Sequence, residues 1–170
     1  MAALRGTLSW RGGITRASQG ARTFEWRLEE RAAGDARRAV REALTAWGVM
    51  GGDIDVAVLL TSEVVTNAIR HVRAELRAGG VVWVRVCVMD GRLRVDVTDP
   101  EPGFPRLVAA RDTDEGHRGM AVVAGCADRW GWHPAPDGGK TVWWTQVLEV
   151  REPLVESPIY RRILSRSWSR

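Results

Sequence analysis

The sequence predicts an α+β two-layer sandwich, a mostly antiparallel sheet with helices on one face. Three observations carry this expectation. Segments in which apolar and polar residues alternate are interspersed with segments whose apolar residues recur every three or four positions. Two joins between alternating segments are tight, at Asp90-Gly91 and Asp137-Gly138-Gly139, and an Asp-Gly pair favours a hairpin turn. The order is strand, helix, helix, hairpin, loop, helix, hairpin. That order keeps most strands adjacent and antiparallel and leaves the helices to cover one side.

Residues 1–22, rich in Gly, Ser, Arg and Ala, read as a disordered basic leader. Thr23–Leu28 alternates, with Phe24, Trp26 and Leu28 on one side, and predicts a half-buried strand. Asp35 is expected to cap a helix whose apolar stripe is Ala36, Val40, Ala43, Leu44 and Trp47, with Gly48 as its stop. Asp53 is expected to cap a second helix running to about Arg77, before Gly79-Gly80. Val82, Val84, Val86 and Val88 form one face of the next strand, and Leu93, Val95 and Val97 the inward face of its return, which ends at Thr98-Asp99.

Pro100–Arg118 is a long irregular segment, and loops of that length inside a domain usually have a function. Met120, Val123, Ala124 and Ala127 then predict a short helix. A strand through Trp130–Trp132 follows, and Thr141–Leu148 runs back after the turn. Residues 151–170, basic and interrupted by proline, read as a tail, so the expected domain is 23–150.

With 170 residues, 45% of them hydrophobic, one domain with its own core is expected. Cys87 and Cys126 lie in apolar segments and read as buried, reduced thiols rather than a disulfide or metal framework. No apolar run approaches the ~18 residues a membrane span needs, and no signal-peptide pattern opens the chain, so the cytoplasm is the expected compartment. The net charge of +4 belongs to the ends: Arg5, Arg11, Arg16 and Arg22 give 1–22 a charge of +4, five arginines against two glutamates give 151–170 +3, and the body between carries −3. A nucleic-acid-binding body, which needs a basic face on the fold itself, is not supported.

The stretch Leu59–Val72 is apolar almost throughout, yet contains Glu63 and Asn67 at a spacing of four. A helix stacks these on one face, beside the packing stripe Leu60, Val64, Ala68 and Val72. The Asn oxygen can bind a hard cation such as Mg²⁺, and the Glu can orient or deprotonate a nucleophile. Taken alone, the pair also fits a helix with two solvated polar residues. Asp99, at the end of an apolar strand, can accept from an exocyclic amine or simply form a turn before Pro100. Gly103 would allow close approach of a ligand to the backbone. Gly116-His117-Arg118-Gly119-Met120 opens a helix, where free N–H groups and Arg118 suit phosphate, or merely an ordinary helix entry.

Together and in order, these residues resemble the nucleotide site of the gyrase/histidine-kinase/MutL ATPase superfamily, closest to its anti-sigma-factor serine kinase branch. Ser62–His71 resembles the N-box. Val97-Thr98-Asp99 with Pro100–Pro105 resembles the first glycine box, with Glu101 at that box's first glycine. Arg118-Gly119-Met120 through Gly131 resembles the second box, and Gly138–Trp143 the closing strand. The resemblance spans roughly 23–148 and implies a histidine kinase-like (Bergerat-type) ATPase fold binding ATP and Mg²⁺. It implies that Asn67 binds the metal and Glu63 acts as general base or water-orienting residue. Asp99 would read the adenine amine and Gly103 would give the base room. Gly116, Arg118, Gly119 and Met120 would hold phosphates, Thr141 would support the adenine side, and Pro100–Arg118 would be the ATP lid.

The partner implied is a sigma factor or an anti-sigma antagonist, and the resemblance also admits a homodimer. The leading expectation is an ATP-binding regulatory protein that phosphorylates a serine of the antagonist, binds the sigma factor, or both. The alternatives are a module for which ATP is a structural ligand only, and a plain α+β interaction domain without nucleotide.

Overall fold

The computed structural model describes residues 20–105 and 119–149. Five strands and four helices form among them: β1 (Gly20–Arg27), α1 (Arg31–Ala46), α2 (Gly51–His71), α3 (Ala74–Arg77), β2 (Val81–Met89), β3 (Arg92–Asp99), α4 (Gly119–Cys126), β4 (Arg129–Pro134) and β5 (Lys140–Val147). The strands make one sheet in the order β1-β2-β3-β5-β4, antiparallel at every pairing. The expected two-layer α+β sandwich is therefore what forms.

Alternation places the layers. Val84, Val97 and Val142 pair across β2, β3 and β5, as do Val86, Val95 and Trp144, and all six are buried. These rows face the helices. Val40 and Leu44 of α1, with Leu60, Val64 and Val65 of α2, fill the space above them. α2 packs against α1, α4 and β3, and so occupies the middle of the helical layer. Its apolar stripe falls where the spacing predicted, with Leu60, Val64, Ala68 and Val72 all buried. The β2–β3 hairpin turns at Asp90 and Gly91, whose φ angles of 52° and 71° are those a two-residue turn of this hand requires.

Several expectations are corrected. Asp35 does not cap α1, which starts at Arg31 after Glu30; Asp35 lies inside the helix and pairs with Arg38 at 2.6 Å. Asp53 does not cap α2, which starts at Gly51 after Met50. It is buried in the first turn, where its Oδ1 accepts from Gln146 Nε2 at 2.8 Å and its Oδ2 from the Glu149 amide at 2.7 Å. The polar group that looked like a local cap is a long-range latch between α2 and the end of β5. The second helix does not run to Arg77. It stops at His71, Val72 and Arg73 turn extended, and α3 is a separate single turn. The Arg77 guanidinium donates to the Ile69 carbonyl in the last turn of α2, as a cation near a helix C-terminus can. Cys87 is only partly buried and Cys126, at the end of α4, is exposed. Both are free thiols, as expected, but neither is a core residue. No helix among the described residues is long and apolar enough to cross a membrane.

The phase of α2 is testable. Leu60 is fully buried, whereas its neighbour Leu59 is 44% exposed. Leu60→Ala should cost about 2–5 kcal/mol, and Leu59→Ala less than about 1 kcal/mol, in urea unfolding monitored by tryptophan fluorescence. Equal losses would place the helix in a different rotation.

Candidate functional site

The same rotation of α2 that buries Val64 and Ala68 leaves Glu63 and Asn67 half-buried, one turn apart. Neither side chain forms a hydrogen bond or ion pair within the described residues. Ser62, next to Glu63, accepts from Arg37 Nη1 of α1 at 2.8 Å, which fixes α1 against this part of α2.

Asp99 is the last residue of β3. It lies on the same strand face as Leu93, Val95 and Val97, so it points to the helical side of the sheet. Its side chain is only 2% exposed and forms an ion pair with Lys140, itself 5% exposed, at 2.8 Å. Lys140 is the first residue of β5 and lies directly opposite Asp99 in the β3–β5 register. The Asp99 Oδ1 also accepts from the Glu101 amide at 2.9 Å, and Lys140 Nζ donates further to the Glu101 carbonyl at 3.1 Å. Burial pushes the Asp99 carboxyl above its ordinary range, while the hydrogen bond and charge of Lys140 pull it back.

The loop after β3 is braced on both sides. The Glu101 carboxylate accepts from the Arg73 amide at 2.8 Å and meets the Arg73 guanidinium at 3.0 Å. The Arg73 amide and side chain together hold the Glu101 carboxyl below its ordinary range. Gly103 has φ +92°, a conformation glycine adopts readily, and open space surrounds the position of a Cβ. Phe104 packs on Trp132 of β4 with ring centroids 4.6 Å apart.

The expected site residues divide as follows. Glu63 and Asn67 share one face of α2, and Asp99 and Gly103 stand at the end of β3 and in the loop after it. Gly119 is the first residue of α4 and Met120 is buried beneath that helix start. Thr141 lies opposite Thr98, and its hydroxyl is 2.8 Å from that of Thr98; no hydrogen bond joins it to Asp99. Gly116, Arg118 and most of the expected lid lie outside the described residues. Sequence reasoning missed Lys140 and the Glu101–Arg73 brace. The one signal for the former was that Lys140 is the only lysine in the chain.

No group of three or more His, Cys, Asp or Glu residues that could cage a metal exists among the described residues. Asn67 could supply one side-chain oxygen, which suits Mg²⁺, an ion that commonly keeps waters and substrate phosphate oxygens as its other ligands. The acceptor left on Asp99 suits the amine of a nucleobase.

The five-stranded antiparallel sheet with its helices on one face is an α+β two-layer sandwich. Residues 26–145 match the family model described as histidine kinase-like ATPase domain, and the chain belongs to that family. It is 42% identical over 69 residues to an uncharacterized protein of Streptomyces coelicolor, a match covering 39% of this chain and 66% of the relative. Its fold is similar to that of the RsbU and RsbW domains of Rv1364c from Mycobacterium tuberculosis, with a TM-score of 0.59 and 24% identity over 83% of this chain and 36% of that one. Membership of this family supports ATP binding.

The Glu101 brace gives a pH-dependent prediction. A carboxyl whose folded value is lowered stabilises the fold above its unfolded value and loses that contribution as pH falls through the folded one. Glu101→Gln should therefore cost about 0.5–1 kcal/mol near neutral pH, toward the low end because Arg73 is exposed. The difference should shrink as pH drops below the ordinary value of 4.5. Denaturant titrations of both proteins across that range check it; a difference independent of pH would mean that charge is not what Glu101 contributes.

Proposed function

We propose that the chain binds MgATP between α2 and the loop after β3 and uses it to regulate a partner protein, a sigma factor or an anti-sigma antagonist. The observation that carries the reading is the pairing, in a chain of this family, of unpaired Glu63 and Asn67 on α2 with an Asp99 carboxylate whose second oxygen is unused. Asp99 would accept from the adenine amine, and Gly103 would let the base approach the backbone. Asn67 would hold Mg²⁺ through its carboxamide oxygen. Gly119 and Met120 would offer amides to phosphate at the start of α4, with Gly116 and Arg118 completing that cradle. Thr141 would contribute indirectly, by holding Thr98 and the end of β3 in place.

The activity proposed is transfer of the γ-phosphoryl group to a serine of the antagonist. The serine oxygen forms a bond to the γ-phosphorus as the bond to the β-bridging oxygen breaks, ADP leaves, and Glu63 takes the serine proton. Such transfer depends mostly on positioning and on offsetting charge, so a small set of residues suffices. The choice of partner follows the motif resemblance. A second reading, ATP as a structural ligand without transfer, is favoured by one feature: position 101 carries a glutamate in place of the box's first glycine, and its carboxylate is held by Arg73. Incubation with radiolabelled ATP and candidate antagonists separates the two, and label on serine decides for transfer.

Asn67→Ala should weaken Mg-dependent ATP binding by about tenfold or more, the scale of one lost contact to a charged group, with little change in thermal stability. Calorimetric titration measures this, and equal affinities would remove Asn67 from the site. Glu63→Gln keeps the shape and removes the base. It should retain nucleotide while lowering phosphoryl transfer by about 10²–10⁴-fold; a fully active variant would leave Glu63 with a structural role only.

A further inference from the structure

We propose that Lys140 is a positioning residue for nucleobase recognition, one that occupies a single oxygen of Asp99 so that the other is presented to an exocyclic amine. The inference rests on the nucleotide-binding reading above and deepens it. Lys140 Nζ, at 2.8 Å, and the Glu101 amide, at 2.9 Å, both donate to Oδ1. Oδ2 receives no hydrogen bond from any described residue. A carboxylate with two donors on one oxygen and none from a described residue on the other is an oriented acceptor.

The strand ends around the pair are closely fitted. Gly139 presses on the end of β3 so tightly that a Cβ there would meet the Asp99 carbonyl oxygen at 2.1 Å and the Pro100 Cα at 2.9 Å. This contact fixes the backbone immediately before Lys140 against the backbone that carries Asp99.

The choice of cation supports the same role. Lysine and arginine total 25 in this chain, and Lys140 is the only lysine. A guanidinium facing a carboxylate engages both oxygens through its planar fork. An ammonium is a point donor and can serve one oxygen while leaving the other open. At Lys140 a second donor goes to the Glu101 carbonyl at 3.1 Å, which holds the ammonium on the loop side of Oδ1. The one lysine is thus found where a forked cation would close the acceptor.

The test compares Mg complexes of ATP and of purine riboside triphosphate, the same nucleotide without the 6-amine, by calorimetric titration of the full chain. Wild type should prefer ATP by about tenfold or more, because the analogue lacks the amine that would donate to the charged acceptor. Lys140→Arg keeps the charge but closes Oδ2, and Lys140→Met removes the orienting donor. Both should bring the preference to within about threefold while leaving affinity for the analogue close to that of wild type. A merely structural lysine would be replaced by arginine without effect, or its loss would weaken both nucleotides alike; either result overturns the proposal. Wild type binding both nucleotides equally also overturns it, by removing Asp99 as reader of the amine. Wild type binding neither defeats the nucleotide reading itself, and the inference with it.

Should neither variant fold, the lone lysine gives a single ¹⁵N Nζ signal in the labelled wild-type protein. That signal should stay protected from exchange when ATP binds. Its loss of protection would mean that Lys140 leaves Asp99, contrary to the proposal.

Discussion

The buried pair of Asp99 and Lys140 is the constraint on which the end of β3, and with it the candidate site, depends. Removing two charges from water is expensive, and the attraction between them rarely offsets more than that penalty. Replacing such a pair with apolar residues is often neutral or stabilising. Its presence at the junction of β3, β5 and the loop after β3 is therefore weakly explained by stability. It is better explained by specification: it sets β3 against β5 in one register at their ends, and it leaves a charged acceptor facing the helical layer. The same lysine reaches the Glu101 carbonyl, so it joins the strand ends to the first residues of the loop.

The other candidate residues, Glu63 and Asn67, are placed by α2, which is anchored near both ends. At its start Asp53 holds Gln146 and the Glu149 amide, beyond the centre of β5. Just past its end Arg73 holds Glu101, in the loop after β3. Between these anchors the helix is buried along Leu60, Val64, Ala68 and Val72. A one-residue rotation would expose the stripe, so packing energy fixes the direction in which Glu63 and Asn67 point. Core burial and site geometry are one requirement on this helix.

What the sequence could and could not show follows from the range of the interactions involved. The five strands and the long helices were legible because period and turn chemistry are local. Val82 to Val88 alternate, and Asp90-Gly91 can hardly be anything but a tight turn. The helix caps were misread for the same reason. Asp35 and Asp53 have the right chemistry for caps, but Asp53 is used by Gln146, 93 positions away. The helix break at Val72 was not visible in the sequence, and the contact beside it joins Arg73 to Glu101, 28 positions away. In the candidate site, the shared face of Glu63 and Asn67 was legible from their spacing, and the strand-end position of Asp99 from an acid closing an apolar run. Lys140 was not, since its role depends on the pairing of Asp99 with a residue 41 positions later. The place of Thr141 opposite Thr98 depends on that register as well.

Glu101 stands where the related glycine box has its first glycine, and the geometry shows what that substitution changes. A glycine is needed where the backbone enters the left-handed region, and Glu101 is not among the residues with positive φ; Gly103 is, at +92°. The conformational requirement of the loop therefore falls on position 103, where glycine is retained. At position 101 the amide donates to Asp99, the carbonyl accepts from Lys140 and the carboxylate accepts from Arg73. The two backbone contacts need no side chain and would be open to glycine too. What glutamate adds is the third contact, a tie between the loop and the segment just after α2. Glutamate at this position therefore ties the loop that follows Asp99 to the segment that follows α2, while the contacts of its backbone with Asp99 and Lys140 are ones that any residue could make.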